Sequence, residues 1–285
     1  MVTQSPQPRL KRTPLSTRLS PLLIPGFAFL YIGIFVLLPA VNVLVEAFAK
    51  GLPLFLQNLQ NEQLLQSVKL TLLMLVIAVP ANTVFGLAAA WAIARRQFPG
   101  KTLLLSIIDL PFSISPVVAG LMLVLLYGNF GLLGPWLQAH DIKVVFAWPG
   151  MALATIIVTF PFMAREVIPS LEEEGWDQEE AARTLGATDW QVFWKVTLPS
   201  VKWSVLYGLI LTTARAAGEF GAVSVVSGSI AGETQTLPLF VEEAYKSYQT
   251  ELAYAAALLL ATIAIVTLLL KTLLEQRLGR RSGGH

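Results

Sequence analysis

The sequence predicts an all-α integral membrane protein with six transmembrane helices. Of its 285 residues, 55% are hydrophobic and only 13% are charged, and the mean hydropathy is +0.65. Soluble domains carry about 25% charged residues, so this composition indicates a membrane protein. A helix crosses a bilayer with about 20 apolar residues, and the chain contains several uncharged stretches of that length. These stretches are too long for barrel strands, which have about 10 residues each.

Five stretches contain no Asp, Glu, Lys or Arg, and a sixth is interrupted only by Arg215 and Glu219. In order, the six are residues 22–45, 70–94, 110–139, 144–164, about 203–227, and 252–270. The third exceeds one span, and its tail from Gly128 to Pro135 has the glycines and proline typical of a loop.

The distribution of basic residues predicts that both termini are cytoplasmic. Fifteen Lys and Arg residues fall on the side of the two termini, against four on the opposite side. Cytoplasmic loops carry this excess of positive charge. We therefore expect a basic cytoplasmic leader at residues 1–20, one transmembrane domain at 21–278, and a short cytoplasmic tail at 279–285.

Several functions are excluded by composition. The chain has no cysteine and only two histidines, so we expect no disulfide, thiolate chemistry or metal site. A net charge of +2 is too small for nucleic-acid binding. Gly100-Lys101-Thr102 resembles part of a phosphate-binding loop, but Arg95 stands where that loop needs its first glycine. No nucleophile is paired with a base, so the chain is not expected to be an enzyme or to bind a cofactor.

One cytoplasmic loop, residues 165–202, is long enough to fold. Asp177 followed by Glu180 is typical of a capping box that begins a helix. Gly186 is a natural helix stop, and Asp189 is the expected cap of a second short helix that ends near Pro199. The loop is therefore predicted to form two short helices joined at Gly186.

The two short helices carry different surfaces. Ala181 and Ala182 are small residues that let another protein approach the backbone closely. The second helix carries Trp190, Phe193 and Trp194, which either bind a partner or lie at the membrane interface, where Trp is common.

This loop resembles a known family. It matches the signature E-A-A-x3-G-x9-I-x-L-P of permease subunits of bacterial ABC importers, with Val196 in place of Ile. The matching residues are Glu180, Ala181, Ala182, Gly186, Val196, Leu198 and Pro199. The resemblance implies a type I ABC importer permease (MetI-like) fold. It also implies that the first short helix docks on a partner ATPase, which uses ATP and Mg and couples its hydrolysis to the membrane helices.

Two polar features inside the spans are candidates for the translocation path or gate. Arg215 lies near the middle of its span, and Glu219 follows at i+4, where the two can pair. The pair is either structural or a gate that meets an anion. Ser113, Ser115 and Pro116 open the third span with a proline-broken segment that either marks a substrate route or is a packed kink.

Segments along nearly the whole chain resemble the sulfate/molybdate group of these permeases, and within it the CysW-type subunits. They are residues 98–101, 109–120, 146–150, 215–229 and 230–239. The resemblance implies a bacterial inner-membrane importer of sulfate and thiosulfate. Its expected partners are a CysT-type permease in a heterodimeric pore, a CysA-type ATPase dimer, a periplasmic sulfate-binding protein, and membrane lipid. The alternatives are a molybdate or tungstate importer, and a secondary anion transporter that acts alone.

Overall fold

The computed structural model describes residues 25–282, so the predicted leader 1–20 and residues 283–285 of the tail lie outside the described residues. Within residues 25–282 every regular element is a helix. The helices are α1 (Pro25–Ala47, with a π-helical turn at Gly33–Leu37), α2 (Leu52–Leu59), α3 (Glu62–Arg95), α4 (Lys101–Ser113), α5 (Pro116–Tyr127), α6 (Gly134–Ala139), α7 (Trp148–Glu174), α8 (Asp177–Thr184), α9 (Asp189–Val192, continued by a π-helical turn at Phe193–Thr197 and by Leu198–Ser200), α10 (Lys202–Ala217), α11 (Gly221–Ser227), α12 (Leu237–Lys246) and α13 (Thr250–Ser282).

Four described helices are long and apolar enough to cross a membrane by themselves, namely α1, α3, α7 and α13. Two further spans are possible only as bent pairs, α4 with α5 at 111° and α10 with α11 at 51°. The described residues thus contain four to six spans. The six predicted segments are recovered when each bent pair counts as one.

The third and fifth predicted spans are bent helix pairs, and the first of these pairs begins at Lys101, before the predicted start at Leu110. Pro116 disfavours a helical conformation at the residue before it, and Ser115 accordingly has ψ 135°. Ile114 is also extended, with ψ 137°. In the other pair, α10 ends at Ala217 with Gly218 as its C-cap, and Phe220 is the N-cap of α11.

The core forms where α3, α7 and α10 pack together. A Cβ on Gly86 of α3 would lie 2.7 Å from the Met163 side chain of α7, so glycine permits the close approach of the two helices. The Asn82 Nδ2 donates to Thr159 Oγ1 at 2.7 Å and to the Ile156 carbonyl at 3.2 Å. These two bonds give both N–H groups of the buried amide an acceptor within the protein.

The short helices α5 and α11 pack against each other in the same way. A Cβ on Gly120 of α5 would lie 2.6 Å from the Ala222 carbonyl oxygen of α11.

We expect Gly120→Ala to separate the two helices, destabilise the protein by about 1–3 kcal/mol, and lower its melting temperature in detergent. Gly33→Ala is the matched control, because nothing lies within 4 Å of that Cβ. Equal melting of the two variants would contradict the close packing.

Candidate functional site

The loop after α7 forms two short helices, α8 and α9, with Gly186 between them. Gly186 has φ +88°, a conformation that glycine adopts without the strain other residues incur. The predicted capping box at Asp177 is wrong. Asp177 is the first residue of α8, its N-cap is Trp176, and no side chain caps it.

The start of α9 also differs from the prediction. Thr188 is the N-cap, and its side chain accepts from the Gln191 backbone while the Gln191 side chain accepts from the Thr188 backbone. Asp189 is the next residue, and its Oδ1 instead lies 3.1 Å from Arg183 Nε of α8. The carboxylate therefore links the two short helices across the Gly186 turn.

A buried ion pair anchors α8 to the end of a membrane span. Arg95, the last residue of α3, places its Nε 2.9 Å from Glu179 Oε1 of α8, and both side chains are only 3% exposed. Thr197 Oγ1, from the π-helical turn of α9, donates to the same Glu179 oxygen at 2.8 Å. We call Arg95, Glu179 and Thr197 the anchor cluster.

Additional contacts hold the Arg95 side chain of the anchor cluster, while Glu179 Oε2 lies 3.7 Å from Arg183 Nη2. Arg95 Nη1 donates to the Leu171 carbonyl near the end of α7 at 2.6 Å, and its guanidinium lies 5.4 Å from the centre of the Trp176 ring. Buried charges are tolerated when paired and hydrogen-bonded, and removing one partner is strongly destabilising. The anchor cluster therefore joins four parts of the chain: α3, α7, α8 and α9.

Sequence reasoning missed Glu179 and gave Arg95 no structural role. One face of α8 carries Glu179 together with Trp176, three residues earlier, and Arg183, four residues later. This helical spacing is a weak local indication of a buried face. No pattern links this face to Arg95, because the two partners are separated by 84 residues.

The predicted coupling residues occupy different surfaces of the two short helices. Glu180 and Ala181 of α8 are exposed, whereas Glu179 of the same helix is buried. Gly186 and Pro199 are also exposed, whereas Ala182, Val196 and Leu198 are half-buried. A partner can thus reach one face of α8 while the other face is held by the anchor cluster.

Arg215 and Glu219 form an ion pair at the break between α10 and α11. Arg215 Nη1 lies 2.6 Å from Glu219 Oε2, with side-chain exposures of 32% and 1%. Glu219 Oε1 also accepts from the Ala222 backbone N–H of α11 at 2.9 Å. The two side chains pair as their i, i+4 spacing predicts, but Glu219 lies in the break and stabilises the start of α11.

The break in the other bent pair lies beside this one. Pro116, the first residue of α5, lies close to Gly221, the first residue of α11. A Cβ added to Gly221 would lie 2.9 Å from the Cβ of Pro116. Ser113 and Ser115 flank the first break with exposed side chains. Within residues 25–282, no hydrogen bond joins either serine hydroxyl to Arg215 or Glu219. The structure thus brings the two breaks together but leaves the serines and the ion pair unconnected.

If the chain transports an anion, as the resemblance implies, Arg215→Ala should impair transport more than the double variant Arg215→Ala/Glu219→Ala. The single change leaves a buried carboxylate without its cation, and this is more harmful than removing both charges. Uptake of radiolabelled substrate by cells that express each variant at matched levels is the measurement. Equal defects in the two variants would instead indicate direct contact between Arg215 and the transported anion.

The amino-acid sequence is similar to those of known transport proteins. The family described as "binding-protein-dependent transport system inner membrane component" matches residues 82–280. The sulfate transport system permease protein CysW of Synechococcus elongatus is 68% identical over 270 residues, covering 95% of this chain and 94% of that protein. The sulfate transport system permease protein CysT of Escherichia coli is 37% identical over 268 residues, covering 92% and 97% respectively.

A solved structure has the same fold. The chain superimposes with a TM-score of 0.77 on a subunit of a bacterial ABC transporter involved in the import of the acidic polysaccharide alginate. The match covers 92% of this chain and 96% of that one, at 19% sequence identity. At this identity the likeness concerns the fold alone, and it confirms the predicted type I importer permease architecture.

Proposed function

Because the chain belongs to the family of binding-protein-dependent transport system inner membrane components, we propose that it is the permease subunit of an ATP-driven sulfate importer. It forms one half of the translocation pore and is not itself a catalyst. The higher identity to CysW than to CysT favours the CysW-type position in that pore.

The observation that carries this proposal is the attachment of α8 to the membrane helices. Glu179 is buried against Arg95 at the end of α3, while Glu180 and Ala181 on the same short helix stay exposed. A partner that binds the exposed face can therefore move the anchored face. This attachment supports the transmission of ATPase closure to a span, which a channel that acts alone does not require.

The proposed assembly contains four kinds of subunit. This chain pairs with a CysT-type permease, and a CysA-type ATPase dimer supplies ATP hydrolysis with Mg on the cytoplasmic side. A periplasmic protein binds sulfate or thiosulfate with high affinity and delivers it. The excess of Lys and Arg on the side of α8 supports a cytoplasmic position for the coupling residues and for both termini in the bacterial inner membrane.

We propose that force passes from α8 to the pore through consecutive elements. Thr197 of the anchor cluster belongs to α9, which leads through Val201 directly into α10. The far end of α10 carries Arg215, whose partner Glu219 lies in the break that abuts Pro116. Movement of α10 then changes the angle at this break. The sulfate dianion would pass the broken segments, where Ser113 and Ser115 can donate hydroxyl hydrogen bonds to it.

Sulfate uptake tests the proposal directly. The complete complex is reconstituted in vesicles with the periplasmic protein, and radiolabelled sulfate entry is measured with ATP, without ATP, and without the ATPase. We expect uptake only when the ATPase and ATP are both present. Sulfate entry that needs neither would overturn the importer assignment, and ATP-dependent entry of radiolabelled molybdate without entry of sulfate would overturn the assigned substrate.

A further inference from the structure

An apolar groove of about 440 Å³ lies between α3 and α9. Its walls include Leu87, Ala88 and Trp91 of α3 and Trp190, Phe193 and Trp194 of α9. Three of these rings contact one another, with Trp190 and Trp194 arranged edge to face at 5.5 Å between centroids. Trp190 and Trp194 nevertheless remain 70% and 50% exposed. An apolar groove bounded by exposed tryptophans is typical of the membrane–water interface.

Unpaired positive charge adjoins the groove. The Arg96 guanidinium lies 5.4 Å from the centre of the Trp91 ring, which is one of the walls. Lys195 is an exposed cation next in the chain to Trp194. Neither has a carboxylate partner among the side chains that the structure describes. The groove's own carboxylate, Asp189, is paired with Arg183.

We propose that this groove binds the acyl chain of an anionic phospholipid from the cytoplasmic leaflet, with the headgroup phosphate at Arg96. The cytoplasmic placement rests on the proposed function, which puts the ends of α3 and α9 at that surface. The apolar walls accept the chain, tryptophan is favoured at the interface, and a basic side chain attracts an anionic headgroup. A bound lipid would fill the space between α3 and α9, the two helices that Arg95 and Thr197 join to α8.

Photocrosslinking locates such a lipid. The complete complex is reconstituted in phosphatidylcholine vesicles that contain a minor fraction of phosphatidylglycerol with a diazirine on its acyl chain. A paired sample contains phosphatidylcholine with the same diazirine chain. Peptide mass spectrometry then compares labelling of α3 and α9 with labelling of the exposed face of α13, which includes Ile265 and Leu269.

We expect phosphatidylglycerol to label the groove about fivefold more than phosphatidylcholine, since one basic side chain near the surface contributes about 1 kcal/mol. Arg96→Gln should remove this preference, and Lys101→Gln, which removes a cation that does not line the groove, should keep it. Ala88→Phe should fill the groove and reduce labelling by both lipids. Leu73→Phe, on the same helix outside the groove, should not.

Three results would overturn the lipid site. They are equal labelling by the two lipids in the wild type, unchanged labelling in Ala88→Phe, and protection of the groove by crosslinks to another subunit. Sulfate uptake on the same vesicles separates the two proposals. ATP-dependent uptake without preferential labelling would contradict only the proposed lipid site. Preferential labelling without uptake would contradict only the importer assignment.

Discussion

Glu179→Ala is expected to abolish sulfate uptake and to lower the melting temperature of the purified complex by roughly 10 °C. The change leaves Arg95 charged and buried without its partner, and breaking a buried pair in this way costs about 3–5 kcal/mol. It also removes the acceptor of the Thr197 hydroxyl, which is buried in the same cluster. Melting is followed by size-exclusion chromatography after heating, and uptake by radiolabelled sulfate.

Two further variants separate stability from coupling. Glu180→Ala, on the exposed face of α8, should change stability by no more than about 0.5 kcal/mol while reducing ATP-driven uptake. The double variant Arg95→Met/Glu179→Leu should melt closer to the wild type than either single change, because apolar residues can replace a buried pair. It should still transport poorly, since the polar link to Thr197 is gone. Normal uptake by Glu179→Ala would show that the anchor cluster has no role in coupling.

Gly186→Pro is expected to leave the complex in the membrane but to uncouple ATP hydrolysis from transport. Proline holds φ near −65°, whereas Gly186 requires +88°. The substitution also removes the Gly186 N–H that donates to the Arg183 carbonyl at 2.9 Å. The turn between α8 and α9 must therefore rearrange. We expect uptake to fall by at least about tenfold while ATP hydrolysis continues, as a change above 1.4 kcal/mol in the coupling equilibrium would produce.

Gly186→Asn is the matched control for this turn. Asparagine adopts positive φ more readily than other residues with a side chain, and nothing lies within 4 Å of a Cβ at this position. We expect this variant to retain most of its transport. If Gly186→Pro transported sulfate as well as Gly186→Asn, the geometry of the turn would be irrelevant to coupling.

Features that depend on short stretches of chain were predictable from the sequence. Runs of uncharged residues marked the membrane segments, because a bilayer imposes a minimum helix length. The spacing from Glu180 to Pro199 identified the family, and Gly186 marked the junction of two short helices. The prolines around Ser115 indicated a broken third span. The caps of α8 and α9 were predicted wrongly, since Asp177, Asp189 and Thr188 all belong to residue types that favour helix starts.

Tertiary structure alone decided which of these local features meet. Arg95 and Glu179 lie 84 residues apart, and Pro116 and Gly221 belong to different bent pairs. Helical periodicity defines the faces of one helix but carries no information about which face of another helix will cover it. That choice depends on the shapes of both surfaces, and here small residues such as Gly86, Gly120 and Gly221 determine where backbones can approach. The charge on Arg95 was visible in the sequence, but its burial against α8 followed only from the packing of α3 and α7.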